Sequence, residues 1–260
     1  MGTVIVDNKN IRELFEKILK NEHSIEKKKI IISAESGKGK TSILMYFCEK
    51  CNQYKIPCIY FDFKILNFNS ELDLIDNIIY QLKLFNNSLN FTEYEKCLEK
   101  YYNASKKSTI FSGIKVIKSE IRNITLPESY SKHLIASATS AFWDDFKRLI
   151  GKQKVIMLFD TYEKAGYTIQ DWFKKYIFFN KLKSNKLFIV IAGQNIDTLI
   201  NPKYAQIFSL PNKYPLEDWL KFGEEIHIND KATIDQCFKF YDGEPFQMCI
   251  ALKPHGGINE

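Results

Sequence analysis

The stretch "SAESGKGKTS", residues 33–42, follows directly on the apolar run "KIIIS" and constrains this chain more than any other feature. An apolar strand that ends in a glycine-rich turn and opens a helix points several backbone N–H groups into one concavity, and the helix N-terminus adds positive potential. Such a turn binds phosphate groups. Glycines let the backbone approach the ligand in conformations closed to larger residues, a lysine reaches the outer phosphates, and a hydroxyl ligates magnesium. Gly37, Gly39, Lys40 and Thr41 stand at those positions, and Ser36, Lys38 and Ser42 complete the cradle. Ala34 replaces the first glycine of the pattern, at the strand exit, where a small side chain is tolerated. A flexible lysine-rich surface turn is the plainer alternative. The buried-type strand before it and the helix after it weigh against that.

Periodicity sets this loop in an α/β chain. "IRELFEKILK" reads as an amphipathic helix, "KIIISA" as a strand, Thr41 to about Cys51 as a helix, "PCIYFDF" as a strand from Pro57, and "ELDLIDNIIYQLKLF" as another helix. That alternation predicts a largely parallel sheet with helices on both faces. It is interrupted from about Phe91 to Ala141, where "FTEYEKCLEKYY" is helical and "SGIKVIKSEIRNITL" alternates like a hairpin or strand pair, before a helix resumes at "SAFWDDFKRLI". The core returns with strand "KVIMLFD", helix "IQDWFKKYIFF", strand "KLFIVIAG" and a short strand around "AQIFSL". Beyond Pro215, "LEDWLKFGEEI", "ATIDQCFKFY" and "PFQMCIAL" are all helical. The expected organisation is an α/β core over residues 1–212 with an inserted segment near 91–141, followed by a small helical lid over residues 213–260.

A second chemical signal is "VIMLFDTYEKA". The apolar residues before Asp160 make a buried parallel strand, and a carboxylate at the C-terminal end of such a strand falls beside the phosphate loop. Asp160 can then hold magnesium-bound water opposite Thr41. Hydrolysis also needs a group that orients the attacking water. The nearest carboxylate is Glu163, with Thr161 directly after the aspartate; Glu163 is the candidate base, against the alternative of a solvated charge at a helix start.

Composition narrows the classes. With 260 residues, 45% of them hydrophobic, the chain can bury a substantial core. No apolar run approaches the ~18 residues of a membrane helix, and "MGTVIVDNKN" lacks the pattern of a signal peptide, so a cytoplasmic setting with no membrane partner is expected. The net charge of +6 comes almost wholly from lysine, the only arginines being Arg12, Arg122 and Arg148. Such scattered basicity makes nucleic acid a possible but not a favoured partner. Cys48 and Cys51 have metal-like spacing but no second pair, and with Leu44 they fall on one helical stripe as small hydrophobes.

Taken together, these residues resemble the signal-transduction ATPases with numerous domains, the STAND class of P-loop NTPases related to the AAA+ family. "AESGKGKTS" is similar to their Walker A, "VIMLFDTYEKA" to their Walker B, "LFIVIAGQN" to their sensor strand, and "YDGEPFQMCIAL" to the Gly-x-Pro motif whose proline packs near the nucleotide. The resemblance covers roughly residues 29–252 and implies a three-layer α/β/α P-loop NTPase core with a parallel sheet, followed by a small helical subdomain. It implies ATP or ADP with magnesium as cofactors, Thr41 and Asp160 as magnesium ligands, Lys40, Asp160, Glu163 and Gln194 as catalytic residues, and Pro245 against the nucleotide. Bacterial relatives often carry arginine at the position of Gln194, and the N-terminal Gly-Arg motif is not evident in "DNKNIREL", so slow turnover is expected of a switch.

The functional expectation is a switch module of a bacterial signalling or antiviral-defence protein, self-associating in the ATP state. Effector and sensor domains are expected outside this chain, as for an excised central module, with a minimal single-domain ATPase as the other possibility. Two alternatives stand beside it: a DNA-associated AAA+ ATPase of initiator or loader type, and a nucleotide-binding scaffold that hydrolyses nothing.

Overall fold

The computed structural model describes residues 8–20, 27–66, 68, 70–107, 128–178, 184–198, 201, 203–228 and 230–252. Its centre is a parallel five-stranded sheet in the order β2-β3-β4-β1-β5, built from β1 (Lys29–Ser33), β2 (Cys58–Asp62), β3 (Val155–Asp160), β4 (Leu187–Gly193) and β5 (Gln206–Ser209). Burial explains the composition of each strand. Every residue of β3 and β4 is buried, as in the middle of a sheet covered on both faces, and both are unbroken apolar runs up to their last residue. The edge strand β2 alternates between buried and half-buried positions.

Period-two geometry sends alternate side chains to opposite faces. Ile30, Ile32, Ile156, Leu158, Val190 and Ala192 share one face with α1 (Lys9–Leu19) and α2 (Lys40–Gln53). There the rings of Phe15 from α1 and Phe47 from α2 stack with centroids 3.7 Å apart. Ile31, Ile59, Phe61, Met157, Phe159, Ile189 and Ile191 face the other way and are equally buried. Phe61, Phe63 and Phe159 stack on that side, and Tyr162 meets Phe63 edge-on.

The same compact unit includes three short C-terminal helices, α7 (Leu216–Glu225), α8 (Lys231–Tyr241) and α9 (Pro245–Ala251). Their own core is Tyr214, Trp219, Ile234, Met248 and Leu252. The sequence places their starts with ordinary chemistry. The Asp230 carboxylate accepts from the N–H groups of Ala232 and Thr233 at α8, and α9 begins with Pro245 at its first position, where a missing N–H costs nothing.

A second compact unit holds α3 (Glu71–Phe85), α4 (Thr92–Lys107), α5 (Glu128–Lys152) and α6 (Tyr167–Trp172), the last running on into a π-helical turn, Phe173–Phe178. Its core is aromatic: Phe91 stacks on Phe142, and Trp143 on Trp172. The buried Asp145 carboxylate accepts from Tyr94 N–H at 3.0 Å and pairs with Arg148. Helix α5 starts upstream of Ser140, where its apolar pattern becomes legible, because the small residues before it lack a marked stripe although Ala138 and Thr139 are buried. The stretch "SGIKVIKSEIRNITL" lies outside the described residues.

Candidate functional site

The loop between β1 and α2 is shaped by two glycines in the left-handed region, Gly37 at φ 79° and Gly39 at φ 87°. Gly39 is the N-cap of α2, so no side chain covers that helix's first N–H groups. These donors are the anion-binding feature expected of the loop. A Cβ on Gly37 would also lie 3.2 Å from Phe246 Cβ, a close approach to α9. Lys40 is buried, and its ammonium donates to the carbonyl oxygens of Ala34 at 2.7 Å and Glu35 at 2.6 Å. Burial lowers its pKa, against the opposing pull of the Glu163 and Asp160 carboxylates.

Strand parity explains how distant residues converge here. Asp160, Tyr60 and Gln194 continue the even-numbered positions of β3, β2 and β4, the face on which α2 packs. Asp160 accordingly meets the first turn of α2: Thr41 Oγ1 donates to Asp160 Oδ2 at 2.6 Å. Tyr60 Oη donates to the same oxygen at 3.1 Å, and Thr161 N–H donates to Oδ1 at 2.8 Å. Burial raises the Asp160 pKa despite these three donors, and the nearby Asp62 adds to the rise.

Thr161 adopts φ 54°, a costly conformation for a β-branched residue. It turns the chain from β3 into a single 3-10 turn, Tyr162–Lys164, and brings Glu163 to the end of β4. Glu163 Oε2 there accepts from Gln194 N–H at 3.0 Å. Gly193 makes room for this contact, since a Cβ at that position would stand 2.8 Å from Glu163 Oε2. Glu163 is therefore tied to the neighbouring strand rather than left as a solvated charge.

These groups border one cleft of about 720 Å3. It brings together Ser36, Gly37, Lys38, Gly39, Lys40, Thr41 and Ser42 with Asp160, Glu163, Gln194 and Pro245, so every site residue expected from the sequence lines it. Asn8, Tyr214, Phe222, Phe246 and Cys249 form further wall, and Asn8 Nδ2 donates to Tyr214 Oη at 3.1 Å. Sequence reading missed Tyr60, Phe246 and the Lys38 partner Glu244. Tyr60 had one available signal, its even spacing from the strand-ending Asp62, and Glu244 and Phe246 flank the motif proline Pro245; that Glu244 meets Lys38 and Phe246 meets Gly37 depends on long-range packing.

The chemistry of the donor set suits a phosphate chain with a hard cation. Open N–H groups and the Lys40 ammonium suit the anion, while the adjoining oxygens of Thr41 and Asp160 suit magnesium. Among the described residues, no group of three or more His, Cys, Asp and Glu side chains forms a metal cluster of its own, and no helix is long and apolar enough to cross a membrane. Cys48 lies on α2 with its sulfur 3.9 Å from Cys58 of β2; the contact with Cys58 and burial raise the Cys48 thiol pKa, whereas for Cys58 the contact with Cys48 lowers it and is outweighed by Cys51 and burial, which raise it.

A parallel sheet in this order, with a glycine loop after β1 and a carboxylate after β3, defines a P-loop NTPase fold. Among solved structures, the chain is similar to a STAND protein with a tetratricopeptide repeat sensor from Pyrococcus horikoshii, at TM-score 0.51 and 14% identity over 98% of this chain and 31% of that one. It is also similar to Cdc6p from Pyrobaculum aerophilum, at TM-score 0.48 and 12% identity over 95% of this chain and 60% of that one. A third is the ORC1 protein of Aeropyrum pernix, solved in complex with DNA, at TM-score 0.47 and 10% identity over 95% and 58%. The chain thus spans less than two thirds of each. At 14% identity the likeness to the Pyrococcus horikoshii protein is one of fold alone. No protein-family model matches the sequence, and a search of curated proteins gives no match.

Proposed function

We propose that this chain is an ATP-binding, slowly hydrolysing switch module of a bacterial STAND-type protein in signalling or antiviral defence, changing conformation and self-association with the bound nucleotide. The observation that carries the reading is the 2.6 Å contact between Thr41 and Asp160, which sets a hydroxyl and a carboxylate side by side at the mouth of the glycine loop, as a magnesium-nucleotide site requires. In this reading Lys40 leaves the Ala34 and Glu35 carbonyls for the β- and γ-phosphates, and the α2 N–H groups bind the phosphate chain. Thr41 and Asp160 hold magnesium, which when bound neutralises the phosphate charge. Glu163 positions the attacking water, and the Gln194 amide hydrogen-bonds the outer phosphate.

Slow turnover is favoured by Gln194, whose neutral side-chain amide brings no charge to the outer phosphate. The same lack of charge, with Thr161 rather than a carboxylate directly after Asp160, supports a second reading, a nucleotide-binding scaffold without turnover. Calorimetry with MgATP and MgADP tests the first requirement. Lys40→Ala is expected to weaken binding about 10- to 100-fold, the value of a charge-assisted hydrogen bond to phosphate. Absence of binding by the unaltered protein, or equal binding by Lys40→Ala, would overturn the reading; binding with no phosphate release over hours would favour the scaffold.

A further inference from the structure

Lys38 lies between the two glycines of the loop, yet its ammonium is directed at the C-terminal helices. It donates to Glu244 Oε1 at 2.9 Å and to the Asn212 carbonyl at 3.1 Å. Glu244 is the middle residue of "GEP" and caps α9, its other oxygen accepting from Gln247 N–H at 2.8 Å. Asn212 precedes α7, and the two approaches are joined by Tyr214 N–H donating to Gly243 O at 3.1 Å. One loop lysine thus holds both the entry and the last helix of the helical end-piece.

The environment makes this pair effective. The Lys38 side chain is 9% exposed and that of Glu244 27%, so water and salt screen the pair less than they screen a surface ion pair. Burial works against the Glu244 charge, but the Gln247 N–H and Lys38 outweigh it and hold its pKa below the usual carboxylate range. Beside it, Phe246 closes on Gly37, so the loop and the first turn of α9 touch at a second point. Lys213 and Asp242 make another pair nearby, but both side chains are mostly exposed.

We propose that Lys38 and Glu244 form a charged latch between the glycine loop and α9, and that these positioning residues hold the helical end-piece against the cleft. That the loop carries phosphate rests on the function proposed above; the latch does not, and it is measurable in protein without nucleotide. If that function holds, a polyanion in the loop competes with Glu244 for Lys38, so that the charge of the nucleotide sets the tightness of the lid.

Hydrogen exchange of the peptide spanning residues 244–252 tests this in the full chain without nucleotide, with the β3 and β4 amides as an internal measure of folding. Lys38→Met keeps the aliphatic stem, and Glu244→Gln keeps an oxygen for the α9 cap. Each is expected to speed exchange in that peptide about tenfold while leaving the sheet unchanged. The double variant is expected to add little to either single, as for two groups acting through one contact. Lys213→Met, removing the exposed pair, is expected to change little. Unchanged exchange in both single variants, additive effects in the double variant, or equal loosening by Lys213→Met would overturn the latch. A failure of MgATP or MgADP to raise the melting temperature of the unaltered protein would instead overturn the nucleotide function, leaving the exchange result to stand.

Discussion

Thr41 and Asp160 are separated by 119 residues, yet the hydroxyl of one donates to the carboxylate of the other at 2.6 Å. The bond removes a donor requirement from a buried carboxylate, so Thr41→Val, close in shape but without the hydroxyl, leaves Asp160 with Tyr60 and Thr161 only. The expected cost in nucleotide-free protein is about 1–3 kcal/mol, read from urea unfolding. In magnesium titrations of ATP binding the same variant is expected to lose most of its magnesium dependence. Unaltered stability and an unaltered magnesium response would show the contact to be incidental.

Asp160 gives a prediction of opposite sign. Burial, its largest influence, disfavours the ionised form more than its three donors favour it, so its pKa lies above the ordinary value. A carboxyl group raised in this way contributes stability that is complete below the unfolded pKa and lost as pH rises through the folded one. Asp160→Asn, uncharged throughout, is expected to be at least as stable as the parent at pH 7 without nucleotide, with the advantage shrinking as pH falls into the carboxylate range. With MgATP the order is expected to reverse, because the amide is a poor magnesium ligand. Thermal melts at pH 7 and pH 4, with and without MgATP, decide it; a less stable nucleotide-free variant at pH 7 would count against the sign.

Gly193 offers a route to Glu163 that leaves the carboxylate chemically intact. A methyl group there would lie 2.8 Å from Glu163 Oε2, so Gly193→Ala is expected to displace the carboxylate from Gln194 N–H. Both Gly193→Ala and Glu163→Gln are expected to bind ATP within a few-fold of the parent and to lose at least ~10-fold in single-turnover hydrolysis, at the low end of general-base effects. Hydrolysis at the parent rate in Glu163→Gln would remove that residue from the chemistry.

Pro245 begins α9 on the wall of the cleft. Its ring offers a flat apolar contact, so Pro245→Ala is expected to weaken ADP binding several-fold, in line with the loss of about 1 kcal/mol of apolar contact. Light scattering is expected to find a monomer with ADP and larger species with a non-hydrolysable ATP analogue. A stable ring in ADP, or undiminished affinity in the variant, would argue against the lid as a nucleotide-dependent element.

Local chemistry made much of this molecule legible in its residues. "KIIIS" followed by the glycine turn specifies strand, loop and helix within one short span, and the apolar residues before Asp160 specify a buried strand with a carboxylate at its end. Proline at the start of α9 and aspartate at the start of α8 act within a turn of themselves, so they too are readable. Tertiary structure decided what depends on neighbours far along the chain. Strand order inserts β4 between β1 and β3, which places Gln194 and Gly193 beside Glu163. Strand parity turns Tyr60 towards Asp160, and packing across 206 residues gives Lys38 its partner in Glu244. Side-chain periodicity assigns each residue a face, but only the assembled sheet assigns that face a neighbour, because a strand's pattern is the same whichever strand lies beside it.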